Sequence, residues 1–206
     1  MIAKTKPKSK RISFVEIDDI IWGILTNRVL LRLSIPLELP TQISELQFHR
    51  LREEIEVYSR DRFLKFLAYR ERSMWECTQF LKNLPLHSSL ADKLIAEAVK
   101  YNYISDQRFA EIMTRSMCEY GKSKQEIVLK LREKRVSDDL IEQNLAEYYY
   151  SQEDEILKDS LKKALARYSR FPEKERIEKL KNYLYRKGFS YSKIMDALAR
   201  MEIDYE

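Results

Sequence analysis

The residues whose types and spacing could support a function are the basic ones, which could bind an acidic partner. The sequence does not contain the patterns of residues that catalysis needs. The chain has only two histidines and two cysteines. Neither His49 nor His87 has another histidine or cysteine three or four residues away, where a second metal ligand would stand on a helix. The sequence also lacks the H-E-x-x-H, G-x-S-x-G and Walker-loop patterns. We therefore expect a protein that is not an enzyme and that needs no cofactor or metal.

One basic stretch lies between residues 115 and 135, where seven basic residues accompany three acidic ones. The basic residues are Arg115, Lys122, Lys124, Lys130, Arg132, Lys134 and Arg135. Helical spacing points Ile127 and Leu131 toward a core and leaves the charged residues between them on the flanks. Such flanks can form a solvated helix face, or a strip that binds an acidic protein surface or nucleic-acid phosphates. The sequence leaves both explanations open.

A second basic stretch, between residues 170 and 193, includes Arg186 and Lys187. It follows the mostly acidic segment SQEDEILKDS, which suits either a basic patch on a partner or a helix N-terminus. A smaller cluster, Arg70-Glu71-Arg72, precedes Ser73. Because Ser73 and Glu76 fit a capping box, Arg70 and Arg72 should close the preceding helix, where cations complement exposed carbonyl groups. Contact between one of these arginines and a partner is the alternative.

The formal net charge of +5 is concentrated at the N-terminus. It comes from Lys4, Lys6, Lys8, Lys10 and Arg11, and residues 12–206 hold 33 basic and 33 acidic residues. We expect residues 1–11 to form a basic flexible tail, either a solubilising leader or a weak phosphate-seeking arm. No apolar run approaches the ~18–20 residues that a membrane helix needs, and no signal-type segment follows the basic start. The sequence predicts a cytoplasmic protein without membrane contact.

Helices must position most of these residues, because three glycines and five prolines in 206 residues favour uninterrupted helix. The segment ISFVEIDDIIWGI, residues 12–24, instead predicts a β-hairpin that turns at Asp18-Asp19. TNRVLLRL predicts a brief helix ended by the prolines of SIPLELP. Ser44 and Gln47 predict a capping box that opens a charged helix through residue 70.

From about residue 60 the sequence repeats itself. The capping box at Ser73 recurs at Ser123, and the spacing of Leu131, Ser137, Ile141 and Leu145 recurs at Leu184, Ser190, Ile194 and Leu198. We predict helices near 60–70, 73–84, 88–100, 106–119, 123–134, 137–149, 153–168, 172–186 and 190–201. They group into three tandem three-helix modules at 60–104, 105–151 and 152–206, after an N-terminal hairpin and helix segment at 12–59. Stacked modules of this size would share cores and form an elongated curved body, mainly α.

Four segments resemble, in order, the motifs of the RecX family, bacterial regulators of the RecA recombinase. They are LAYRERSMWECTQFL, YNYISDQRFAE, YGKSKQEIVLKLREKRV and YRKGFSYSKIMDAL, and the match covers about residues 60–201. At three positions the family pattern would usually place Gly, Asp and Gly, where this chain has Asn102, Ser105 and Arg135. Asn and Ser preserve the helix caps. Arg135 predicts a differently shaped loop or an extra contact.

The resemblance implies a non-catalytic regulator that binds the RecA–DNA filament and inhibits strand exchange or promotes disassembly, in recombination, DNA repair and the SOS response. A monomeric chain of modules would meet successive filament subunits. The candidate partner-binding or DNA-binding residues are Arg70, Arg72, Arg108, Arg115, Lys122, Lys124, Lys130, Arg132, Lys134, Arg135, Arg186 and Lys187. Two alternatives stay open: direct binding to single- or double-stranded DNA without RecA, and a general helical scaffold.

Overall fold

The computed structural model describes residues 1–203, so the end of the third predicted module, at residue 206, lies outside the described residues. The chain divides into two compact units, the first Met1–Ser105 and the second beginning at Asp106. The structure is mainly helical, with one antiparallel sheet in the first unit, which confirms the predicted fold class. Within the described residues, no helix is both long and apolar enough to cross a bilayer.

The first unit begins with a four-stranded sheet in the spatial order β3-β2-β1-β4. Its strands are β1 (Ile2–Ser9), β2 (Ile12–Ile17), β3 (Ile20–Thr26) and β4 (Thr41–Gln42). The hairpin predicted at residues 12–24 is confirmed, because β2 and β3 pair antiparallel on either side of Asp18 and Asp19. These two residues have positive φ angles of 49° and 63°, which aspartate adopts more readily than most residues do.

The predicted flexible tail over residues 1–11 is wrong, because Ile2–Ser9 is a strand paired with β2. Small and basic residues alternate along β1, so that Ala3 and Thr5 are buried and the lysines between and after them lie on the solvent face. The Nζ atoms of Lys4 and Lys6 lie 2.6 and 2.7 Å from the carboxylates of Asp19, in the β2–β3 turn, and Glu16 of β2, which reduces repulsion among the lysines of β1. The lysines recur at every second residue, which is the period of a strand, and the prediction of a tail took only their charge into account.

Four helices complete the first unit: α1 (Asn27–Arg32), α2 (Glu45–Tyr69), α3 (Met74–Lys82) and α4 (Ser88–Lys100). Helix α2 begins with the predicted Ser44–Gln47 capping box and packs on the sheet at Gly23, where a Cβ would collide with Ile55. It also runs through the predicted division at residues 59/60 without a break. Its first half packs in the core beneath the sheet and Phe63 packs against α3 and α4, so one helix belongs to both predicted segments. That division therefore needs correction.

The second unit is entirely helical within the described residues. Its elements are α5 (Asp106–Glu119), α6 (Lys124–Glu133), α7 (Asp138–Asn144), a π-helical turn (Leu145–Tyr149), α8 (Glu153–Tyr168), α9 (Glu173–Arg186) and α10 (Tyr191–Ile203). One hydrophobic core extends from Phe109 to Leu198. The division of this unit at residues 151/152 and the three-module arrangement stay predictions.

Candidate functional site

Helix α6 carries the central candidates of the first basic stretch. Ile127 and Leu131 are fully buried on its core face, whereas Leu129 is 63% exposed. The outer face of α6 borders a surface groove of about 600 Å³. We name it the α6 groove, and it is lined by Lys124, Gln125, Val128, Leu129, Arg132, Glu142 and Gly188. The groove thus combines residues from α6, from α7 and from the turn between α9 and α10.

The first turn of α6 joins the two basic stretches at Glu126. The backbone N–H of Ser123 donates to Glu126 Oε2 at 3.0 Å, as the capping box requires. The Nζ atoms of Lys122 and Lys187 lie 3.1 and 3.4 Å from the same carboxylate. Burial alone would raise the pKa of Glu126, but the backbone N–H and the two lysines together lower it to about 2. Lysines that are far apart in the sequence therefore meet at one carboxylate.

The remaining cations of α6 have weak intramolecular partners. Arg132 Nε donates to Asp138 Oδ1 at 2.8 Å, and Lys130 Nζ lies 3.0 Å from Glu133 Oε2. The Arg132 and Asp138 side chains are 60% and 71% exposed, so water screens their attraction. Lys124 Nζ donates to the hydroxyl of Tyr150 at 2.7 Å, which raises the pKa of Lys124. Because these pairs are exposed, the cations can leave their present partners and bind a partner surface at little cost in free energy.

Arg135 lies in the turn between α6 and α7 and has a left-handed backbone, with a φ of 59°. Its N–H donates to the carbonyl of Arg132 at 2.9 Å, and the N–H of Val136 donates to that of Leu131 at 3.2 Å. The turn therefore keeps the backbone conformation that glycine favours at a helix end. The prediction that Arg135 gives a differently shaped loop is wrong. The exposed Arg135 side chain has no hydrogen bond or ion pair with the residues that the structure describes.

Among the candidates, Lys124 and Arg132 line the α6 groove, and three of the others lie elsewhere in the second unit. Arg115 donates to Glu111 Oε1 at 3.1 Å, and its guanidinium lies 5.1 Å from the centre of the Tyr148 ring. Arg186 Nε donates to a carbonyl of its own helix, that of Asn182, at 3.2 Å. Arg108 is half-buried near the start of α5. The structure therefore does not gather all of the candidates of the second unit into one surface.

Arg70 and Arg72 lie in the first unit, at the corner between α2 and α3. Arg70 ends α2 and donates to both carboxylate oxygens of Glu76, at 3.2 and 2.7 Å. The guanidinium of Arg72 lies 4.1 Å from the centre of the Phe66 ring, and its Nε is buried without a hydrogen-bond partner. Burial lowers the pKa of Arg72. Both arginines therefore have structural contacts, but with Glu76 and the Phe66 ring rather than with the carbonyl groups at the end of α2, and partner binding by either one stays a prediction.

Two features of the groove were not predicted from the sequence. Leu129 is an exposed apolar residue, and its position two residues away from both Ile127 and Leu131 is the signal that could have revealed it. The contact between Lys187 and Glu126 joins residues 61 positions apart, and no local pattern could have revealed it.

Short helices joined by tight turns around a shared core define a helical-repeat protein. Models for the second and third three-helix domains of RecX match residues 105–145 and 152–198. These matches confirm the resemblance to the RecX family found in the four motifs.

Among its relatives, the regulatory protein RecX of Streptococcus uberis is 29% identical over 149 residues, which are 71% of this chain and 57% of the relative. That of Streptococcus sanguinis is 26% identical over 201 residues, covering 96% and 76%. The chain thus spans between about half and three quarters of the length of the curated relatives it matches.

Two solved structures share the fold. A crystal structure of regulatory protein RecX has a TM-score of 0.67 at 23% identity, and the match covers 94% of this chain and 99% of the other. The structure of RecX from Lactobacillus salivarius has a TM-score of 0.64 at 26% identity, with coverage of 72% and 97%.

Proposed function

We propose that this chain regulates the RecA recombinase in homologous recombination and DNA repair by binding the RecA–DNA filament, without catalysis. The matches to RecX domain models and the names of the relatives, which are regulatory proteins, support a regulatory role. The α6 groove is the contact surface in this proposal. By engaging neighbouring subunits through successive helical modules, the protein would inhibit strand exchange.

The meeting of Lys122 and Lys187 at Glu126 is the observation that carries this proposal. It places cations from two distant segments beside the groove, where Lys124 and Arg132 add two more. The groove also contains the exposed Leu129. An apolar side chain surrounded by cations matches a protein surface with an apolar centre and an acidic rim better than it matches bare phosphates.

The test measures the DNA-dependent ATPase of the host's own RecA on single-stranded DNA, with increasing amounts of this protein. The triple variant K130E/R132E/K134E should lose at least about tenfold in filament affinity, because it replaces attraction by repulsion along α6. The variant should still fold but unfold at a lower temperature, because the lost ion pairs of Lys130 and Arg132 are exposed whereas acids at the C-terminal end of α6 cost about 0.3–1 kcal/mol each.

A matched control places the same charge change on α8 of the same unit, as K158E/K162E/K163E, three exposed lysines outside the groove. Equal inhibition by both folded triple variants would remove the α6 strip from the proposal. Binding to bare DNA that is salt-sensitive, with no effect of the wild type on RecA filaments, would favour direct DNA binding instead.

A further inference from the structure

The solvent face of β1 carries a row of cations. Lys4 and Lys6 are two positions apart in the regular part of the strand, so their Cα atoms are roughly 6.6 Å apart, and Lys8 follows at the register shift between Pro7 and Ser9. This interval is comparable to the separation of successive phosphates along an extended single nucleic-acid strand. Lys10 and Arg11 continue the series into the turn before β2. We name these five residues the β1 basic row.

Part of this row is neutralised and part is available. Lys4 pairs with Asp19 at 2.6 Å, and Lys6 pairs with Glu16 at 2.7 Å. The exposed Lys8, Lys10 and Arg11 form no ion pair with the carboxylates that the structure describes. The five residues of the row also equal the entire formal surplus of +5 in the chain. The row is therefore where the sequence concentrates its attraction for anions.

An aromatic ring lies on the same face of the sheet. Phe14 of β2 is directly opposite Lys6 in the antiparallel ladder, so both side chains point to the same side. The ring is half-buried, and Lys8 Nζ lies 5.4 Å from its centre. Surfaces that bind single strands combine two elements: cations that follow the phosphate backbone, and aromatic rings on which bases stack.

A structural role alone would also place lysines on β1. Strand β4 pairs with β1 only at Ile2 and Ala3, and charged residues on the remaining open edge would prevent pairing between molecules. That role does not account for Lys10 and Arg11, because they lie in the turn beyond Ser9, the last paired residue of β1. The cations that lack ion pairs are thus concentrated where edge protection is least needed.

We propose that the β1 basic row binds the phosphates of a nucleic-acid single strand, with Phe14 as a stacking surface for a base. Lys8, Lys10 and Arg11 are the phosphate contacts, and Lys4 and Lys6 add positive potential along the strand. This site lies in the first unit and requires no contribution from the α6 groove. It gives the protein a nucleic-acid contact that is separate from its contact with recombinase protein.

The experiment measures binding of a fluorescent thymidine oligonucleotide to the full chain at several salt concentrations, with no recombinase present. Each lost phosphate contact lowers the slope of log affinity against log salt by about 0.7 for single strands, so K8Q/K10Q/R11Q should lower it by about 2. Raising salt fourfold should then reduce wild-type affinity roughly 20-fold more than that of this neutral variant. The matched control R50Q/K82Q/K100Q removes the same charge from exposed helix positions of the first unit and should keep the wild-type slope.

A second variant separates phosphate binding from edge protection. K8E/K10E/R11E keeps the row charged, so an edge-protecting role would survive, whereas phosphate binding should be abolished. Oligonucleotide binding by this reversed variant at wild-type strength would overturn the proposal, as would equal slopes for the neutral variant and its control. Displacement of the oligonucleotide by poly-glutamate at equal charge concentration would overturn it too, because the row would then be a general polyanion site. Filament inhibition that persists in the neutral variant would show that the two sites act separately.

Discussion

The turn between α6 and α7 and the turn between α9 and α10 end their helices in the same way but are centred on different residues. Arg135 has a φ of 59° in the first turn, and Gly188 has a φ of 92° in the second. In both, the next residue donates its N–H to a carbonyl near the helix end, from Val136 to Leu131 and from Phe189 to Leu184. The backbone requirement is therefore shared.

The difference lies in what surrounds the Cβ position. A Cβ on Gly188 would lie 2.5 Å from Cγ of Gln125, because the α9–α10 turn packs against the first turn of α6. Arg135 is exposed, so its side chain meets no such obstacle. Glycine is thus favoured in one turn by its φ of 92° and by the space that the exposed Gln125 side chain would otherwise have to vacate, whereas arginine is tolerated in the other at a conformational cost of about 1–2 kcal/mol. Two turns with one backbone shape can therefore differ in which substitutions they accept.

The strongest test of this comparison is Gly188→Ala. It should destabilise the second unit by roughly 2–3 kcal/mol, because it combines a left-handed non-glycine residue with a collision at Gln125. Urea unfolding of the full chain measures the change. The double variant G188A/Q125A should recover the part due to the collision, and a loss below about 0.5 kcal/mol in the single variant would contradict close packing at this turn.

The packing of the α9–α10 turn against the start of α6 can be tested at Glu126, which contacts Lys187 at the end of α9. Its pKa is lowered from an ordinary 4.5 to about 2, so it stabilises the fold above pH 4.5 and this contribution is lost as the pH falls toward 2. Because the side chain is partly exposed, water reduces the contribution to about 1 kcal/mol. Glu126→Gln keeps a capping residue and should cost that amount at pH 7. The stability difference from the wild type should shrink between pH 4.5 and 2, and a difference that stays constant would contradict the ionic origin.

The second unit shows which structural features local sequence contains. Ser123 and Ser137 cap α6 and α7, and the apolar spacing that follows each serine sets the face of the helix, so helix bounds could be predicted within a few residues. The strand at Ile2–Ser9 was not predicted because a run of cations without acids is also typical of a charged tail, although the alternation of its lysines is a strand pattern. The α6 groove could not be predicted, since Gly188 and Glu142 reach it only through tertiary packing.

The smallest expected effect, and the one that relates the comparison to function, is Arg135→Gly. Glycine adopts the left-handed backbone at no steric cost, so the variant should be more stable by about 0.5–1 kcal/mol, after allowance for its more flexible unfolded chain. It also removes an exposed cation beside Lys134, at the end of α6, so affinity for RecA filaments should fall by about twofold to fivefold, typical of one exposed charge.

Arg135→Lys separates the two effects, because it keeps the charge and the strained backbone and should match the wild type in both stability and filament affinity. Thermal unfolding and the ATPase inhibition assay on the same preparations measure them. A glycine variant that is more stable and binds filaments as the wild type does would show that Arg135 is only tolerated in its turn, and that the α6–α7 turn differs from the α9–α10 turn in packing alone.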